Sequence, residues 1–165
     1  MVKISPADSA FSQCIKVRAG GRCESSGKEF PGADMTGKAQ GLECAHIYGR
    51  RAKSTRWEPD NAMALSHYRH RYYTENPHEW IAFVAEKLGQ ERFERLRAKW
   101  LTNVQVNDKL EKAIAAHYRQ QLRWMQDMRK AGIVGRIEFI AWDSDGREAR
   151  PFEDRTWRIA LGEDV

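Results

Sequence analysis

The sequence predicts an α+β protein, with a small mixed core over residues 1–75, a mainly helical arm over 76–132 packed on it and a short C-terminal β-hairpin over 133–165. Three observations predict this. To about residue 75 the chain is rich in Gly, Cys and His, and turn signals and short strand patterns replace long helical periods. From 76 to 132 apolar residues recur every three or four positions. After Gly132 two β-rich runs flank Asp143-Ser144-Asp145-Gly146.

Taken in order, Ala19-Gly20-Gly21-Arg22 and Ser25-Ser26-Gly27-Lys28 are turns on either side of Cys23, and Phe30-Pro31-Gly32 is a third. Residues 42–47 read as a strand that enters a polar, basic loop over 48–58. A short strand over 62–65 and a helix from about Ser66 follow. Asn76 and Pro77 form a helix start, with an Asn cap and Pro at the first position. Ile81, Val84 and Leu88 keep helical spacing until Gly89 stops the run, and Phe93, Leu96 and Trp100 define a second short helix. Asn107-Asp108 caps a long third helix whose apolar face is Leu110, Ile114, Tyr118, Leu122 and Met125. Lys112, Arg119, Arg123 and Lys130 form a stripe on another side of it, read either as a solvated face or as a rail for phosphates. Residues 137–142 and 156–161 are the two arms of the hairpin.

Composition narrows the function classes. At 165 residues the chain is about one domain. A mean hydropathy of −0.74, with no apolar run near the roughly 20 residues a bilayer span needs, argues against a membrane protein. Three cysteines leave one unpaired, and the N-terminus has no apolar stretch before a cleavage site, so the expected compartment is the cytosol. The net charge is +5, and the stretch 45–73 holds six cations against two carboxylates. Nearly all of the excess therefore surrounds one segment.

That segment carries the chemistry. His46 ends a strand, Asn61 follows 15 residues later and His70 comes 9 residues after that, on a helix. Arg50, Arg51, Lys53 and Arg56 on the loop, with Arg69 and Arg71 on the helix, are the candidate DNA contacts, because guanidinium groups grip phosphate with paired hydrogen bonds. Trp57 is expected to plug the loop into the core rather than stack on a base.

The pattern resembles the HNH nucleases of the ββα-metal fold, and more narrowly the phage NinG/Rap recombination endonucleases. The resemblance spans roughly residues 12–130 and is most specific from His46 to Trp80, including "HIYGRR", "TRW", "DN" and "TENPHEW". It implies a ββα-metal nuclease core with a helical arm, and a metal-dependent endonuclease cutting DNA, including branched recombination or repair intermediates. It also implies a phage or prophage setting in the bacterial cytosol. On this resemblance His46 is the general base, Asn61 holds the loop so that His46 stays in register, and His70, with His46 beside it, marks one Mg²⁺ or Mn²⁺ site. The helical arm reads equally as a homodimer interface and as a lid over a small core.

Two departures qualify it. Many such enzymes place a second metal ligand before the base, where this chain has Ala45; Glu43, on the same strand face, and His67, one turn from His70, are the second choices. Relatives also carry two Cys-x-x-Cys pairs for a structural Zn²⁺, and here the four places hold Cys23, Ser26, Ser66 and Arg69. No structural Zn²⁺ is therefore expected. These departures keep a second reading open: a non-catalytic DNA-binding or phage-assembly protein on a decayed core.

Overall fold

The computed structural model describes residues 2–143, and the second arm of the expected hairpin, 156–161, lies outside them. The elements are helices α1 (Pro6–Arg18) and α2 (Ala33–Thr36), strand β1 (Leu42–His46), a 3-10 turn (Pro59–Asn61), strand β2 (Ala62–Ser66), and helices α3 (His67–Glu75), α4 (Pro77–Leu88), α5 (Gln90–Trp100) and α6 (Asp108–Lys130). The architecture is α+β and mostly helical, with one small antiparallel sheet in which Glu43 pairs with Leu65 and His46 with Ala62.

Local chemistry accounts for most boundaries. The Ser66 hydroxyl caps α3 by accepting from Arg69 N–H at 3.2 Å, and the Asn107 side chain caps α6 by accepting from Leu110 N–H at 2.8 Å. Pro77 opens α4 as expected, but the Asn76 side chain does not cap it. Its Nδ2 donates back to the Tyr72 carbonyl at 2.8 Å, so Asn76 closes α3 instead.

Helix α1 overturns the expectation that the first zone lacks a long helix. Ser5 and Asp8 form a reciprocal capping box at 3.2 and 2.8 Å, with Pro6 in the first turn. Ala7, Ala10, Phe11, Cys14, Ile15 and Val17 are all buried, so apolar residues surround much of the helix and no clean stripe marks it in the sequence. It packs along α6 and shares one core with Ile114, Tyr118, Met125 and Met128. The third helix of the arm is thus built into the core.

Cations close the C-terminal end of α1. Buried Arg129 donates to the Val17 carbonyl at 2.6 Å, which also accepts from Gly20 N–H at 3.0 Å, where the helix dipole favours positive charge. Residues 137–142 are a second correction: they form no strand in the described chain. Ile137 and Phe139 enter the main core, while Ile140 N–H donates to Gln121 Oε1 at 3.0 Å and Trp142 N–H to the Tyr118 hydroxyl at 3.2 Å. Side chains of α6 thereby take hydrogen bonds that a partner strand would otherwise take.

A smaller core of Cys23, Ala45, Leu65 and Tyr73 lies between the sheet and α3. The Cys23 turn and the start of α3 meet there. Ser26 N–H lies 3.4 Å from Cys23 Sγ, and the backbone of Ser66 also reaches the sulfur. Burial raises the Cys23 thiol, but these hydrogen bonds outweigh it and leave the pKa lowered. No helix of the described chain is long and apolar enough to cross a membrane.

Candidate active site

A cleft of about 560 Å³ brings Glu43 and His46 of β1, Arg50 of the following loop, His70 of α3 and Lys16 of α1 to one surface. Two sides of β1 contribute to it. Alternation turns Glu43 towards α3 and Cys44 towards α1, and the cleft wraps the strand so that both faces reach it.

His46 is half-buried, and its Nε2 lies 3.0 Å from the Arg56 carbonyl. A carbonyl only accepts, so Nε2 carries the hydrogen and the neutral ring keeps its lone pair on Nδ1. Burial lowers the His46 pKa below the usual 6.5; the Arg56 carbonyl and Asp8 oppose that, and the charges of Arg50 and Arg56 add to it. The ring is therefore uncharged at neutral pH.

Asn61, fully buried, stitches the loop shut. Its Oδ1 accepts from Tyr48 N–H at 2.8 Å, and its Nδ2 donates to the carbonyls of Tyr48 at 2.9 Å and Thr55 at 2.8 Å. These bonds bracket the residues between His46 and Arg56. Replacing Asn61 by alanine leaves those backbone groups unpaired, and we expect a loss of about 2–4 kcal/mol in urea-induced unfolding. A loss below about 1 kcal/mol would show that water replaces the amide without cost.

Arg56 belongs to the interior, which corrects its placement among the DNA contacts. It is 5% exposed, and its Nε and Nη2 donate to the two oxygens of Asp8 at 2.9 and 2.6 Å. Trp57 Nε1 donates to the same carboxylate at 3.0 Å, and its ring is fully buried as the expected plug. Burial raises the Asp8 pKa, yet the hydrogen bond from Arg56 and those from Ser5 outweigh it and hold the carboxyl below its ordinary 3.8. Asp8 thus caps α1, neutralises Arg56 and, through the Arg56 backbone, sets where His46 is tethered.

On the α3 side, Glu43 receives Nδ1 of His67 at 2.9 Å and Nδ1 of His70 at 2.6 Å. Burial raises the Glu43 pKa, but the two histidine hydrogen bonds outweigh it, so the group is a carboxylate at neutral pH. A carboxylate only accepts, which leaves Nε2 of each histidine free to bind elsewhere. His70 lines the cleft, whereas His67, with 71% of its side chain exposed, sits outside its lining. Ala45 is buried in the small core, away from any ligand role. Among the described residues no three His, Cys, Asp or Glu side chains form a ready-made cation cage.

The remaining cations divide by surroundings. Arg50 lines the cleft, Arg51 is exposed and Lys53 is half-buried. Arg69 lies 5.7 Å over the Tyr72 ring and Arg71 pairs with Glu75 at 3.2 Å, so both are partly engaged within α3. Lys16 was not legible as a site residue, because nothing in the sequence marks α1 as the opposite wall. It is half-buried, and among the described residues it pairs with no carboxylate. Compared with protein-family models, curated proteins and solved structures, the chain matches none.

Proposed function

We propose that this chain is a metal-dependent endonuclease of the ββα-metal (HNH) kind, hydrolysing DNA phosphodiesters, branched recombination or repair intermediates among them. The observation that carries the reading is a half-buried, neutral His46, tethered through Nε2, lining the same cleft as the Glu43–His70 pair. Strand, loop, strand and helix follow in the order the family requires.

In this reading Nδ1 of His46 takes a proton from a water as its oxygen forms a bond to phosphorus. The bond from phosphorus to the 3′ oxygen breaks, that oxygen gains a proton from solvent, and the products carry 5′-phosphate and 3′-hydroxyl ends. Arg50 and Lys16 bring positive charge to the phosphate from opposite walls. His70 Nε2, whose lone pair is left open because Glu43 takes Nδ1–H, would hold a Mg²⁺ or Mn²⁺ ion together with water and substrate phosphate oxygens. When bound, such an ion neutralises the negative charge that builds on the phosphate oxygens.

Nicking of supercoiled plasmid with Mg²⁺ or Mn²⁺, with chelator and His46→Ala as controls, tests the reading. Cleavage that survives chelation or the substitution overturns it. A branched junction and a linear duplex of the same sequence, run side by side, test the substrate preference. The second reading, a non-catalytic DNA-binding or phage-assembly protein, rests on Ala45 and on Ser26, Ser66 and Arg69 standing where relatives carry zinc cysteines. It requires DNA binding without nicking under any divalent ion.

The titration of His46 makes a further prediction. Because its pKa lies below 6.5, the cleavage rate at saturating metal should be flat through neutral pH and fall in acid, with a midpoint below 6.5. Single-turnover rates across pH read this directly. A midpoint above 6.5 would assign the base to another group.

A further inference from the structure

A second cavity, of about 180 Å³, shares no lining residue with the cleft. It lies between the end of α1, the start of β2, the corner joining α4 to α5 and residue 136. Four of its lining side chains are cations, Arg18, Lys87, Arg92 and Arg136, against the single carboxylate of Glu24.

Arg18 is 1% exposed, and its terminal nitrogens are satisfied by the carbonyls of Pro59 at 2.8 Å and Ala62 at 2.6 Å. Its Nε, equally buried, has no partner among the described residues. Burial lowers the Arg18 pKa, Glu24 opposes that, and the neighbouring Arg136 charge adds to it. Glu24, Asp60 and Glu138 balance three of the four positive charges here and leave one in excess.

Other donors remain. Arg92 uses Nε and Nη2 on Asp60, leaving Nη1. Arg136 uses Nε on Glu138 and Nη1 on Glu24, leaving Nη2. Lys87, exposed at the last turn of α4, pairs with no carboxylate among the described residues. The space is below the roughly 300 Å³ at which pockets begin to take drug-sized ligands, and it suits one tetrahedral oxyanion with water.

We propose that this cavity is an anion site for a single phosphoryl group, received by Lys87, Arg92 and Arg136 at its rim, with the charge of Arg18 behind them. The phosphoryl group comes either from a nucleic-acid backbone or from a small phosphorylated molecule. The proposal is independent of the nuclease reading, because it uses no residue of the cleft.

Thermal unfolding of the full chain in metal-free buffer tests it, with inorganic phosphate compared against chloride at equal ionic strength. At ten times the dissociation constant we expect phosphate to raise the melting temperature by about 3–6 °C. The double substitution Lys87→Gln with Arg136→Gln should abolish that rise, and Lys87→Gln alone should reduce it and serves if the double variant does not fold. No rise beyond chloride, or an equal rise in the variants, overturns the proposal. Titration with a short DNA duplex separates the two sources. Weaker duplex binding by the variant with a shallower salt dependence assigns the site to backbone phosphate, whereas unchanged duplex binding with a lost phosphate response assigns it to a small ligand.

Discussion

Replacing His46 by alanine should reduce metal-dependent nicking by about 10²–10⁴-fold while leaving the fold intact, because a positioned base contributes on that scale and no other group in the cleft has its tautomer set by a backbone carbonyl. The comparison needs initial rates at saturating Mg²⁺ or Mn²⁺ and a binding measurement on the same DNA. Binding should stay within a few-fold of the unsubstituted protein, since Arg50, Arg51, Lys53 and Lys16 are untouched. Loss of binding in parallel with nicking would make His46 a structural residue and count against its role as base. Stability against pH supplies an independent reading. Folding lowers the His46 pKa, so the unfolded chain holds more protons just below pH 6.5, and stability contributed by the neutral ring is lost as pH falls through the folded value. The alanine variant lacks that loss, and its stability should decline less between neutral and mildly acidic pH.

Replacing Asp8 by alanine should be the most damaging change to stability. It leaves Arg56 charged, 5% exposed and without its counterion, and breaking one partner of a buried pair costs about 3–5 kcal/mol. The capping box goes with it, adding about 1 kcal/mol. Against a typical total of about 5–15 kcal/mol this is roughly a quarter or more of the stability, so a large fall in the denaturation midpoint is expected. The pair Asp8→Ala with Arg56→Met separates the causes. If the uncompensated charge dominates, the double variant regains much of the loss; if the cap and the Trp57 hydrogen bond dominate, it stays as unstable as Asp8→Ala. Residual nicking by either variant should be weak, because the Arg56 carbonyl that tethers His46 hangs on this anchor. A variant that melts normally and cleaves at the full rate would remove Asp8 from this chain of support.

The parts of the fold legible in the sequence are those written in local chemistry. The Ser66 and Asn107 caps, Pro77 and the stop at Gly89 mark α3, α4 and α6 because capping groups and positive φ act within a few residues. The two strands and the order His46, Asn61, His70 are legible for the same reason, and Asn61 bridges the loop as its side-chain chemistry suggests. Helix α1 is harder to see, although Ser5-Pro6 and Asp8 announce its start. Its buried ring of Ala7, Phe11, Cys14 and Val17 blurs the helical stripe.

Arg56 and Arg50 look alike in the sequence, six residues apart in one basic loop. Only the folded chain brings Asp8, 48 positions upstream, against Arg56 and sends it inward while Arg50 lines the cleft. Residues 137–142 carry strand propensity, but α6 supplies their hydrogen-bond partners, so they lie as an extended strap. The site follows the same division. The sequence by itself determined the local elements and the order in which His46, Asn61 and His70 follow one another, since spacing and capping are local. The tertiary structure alone decided that Glu43 joins His67 to His70, that Lys16 walls the cleft and that Arg56 is interior, because burial and charge pairing depend on which distant segments meet.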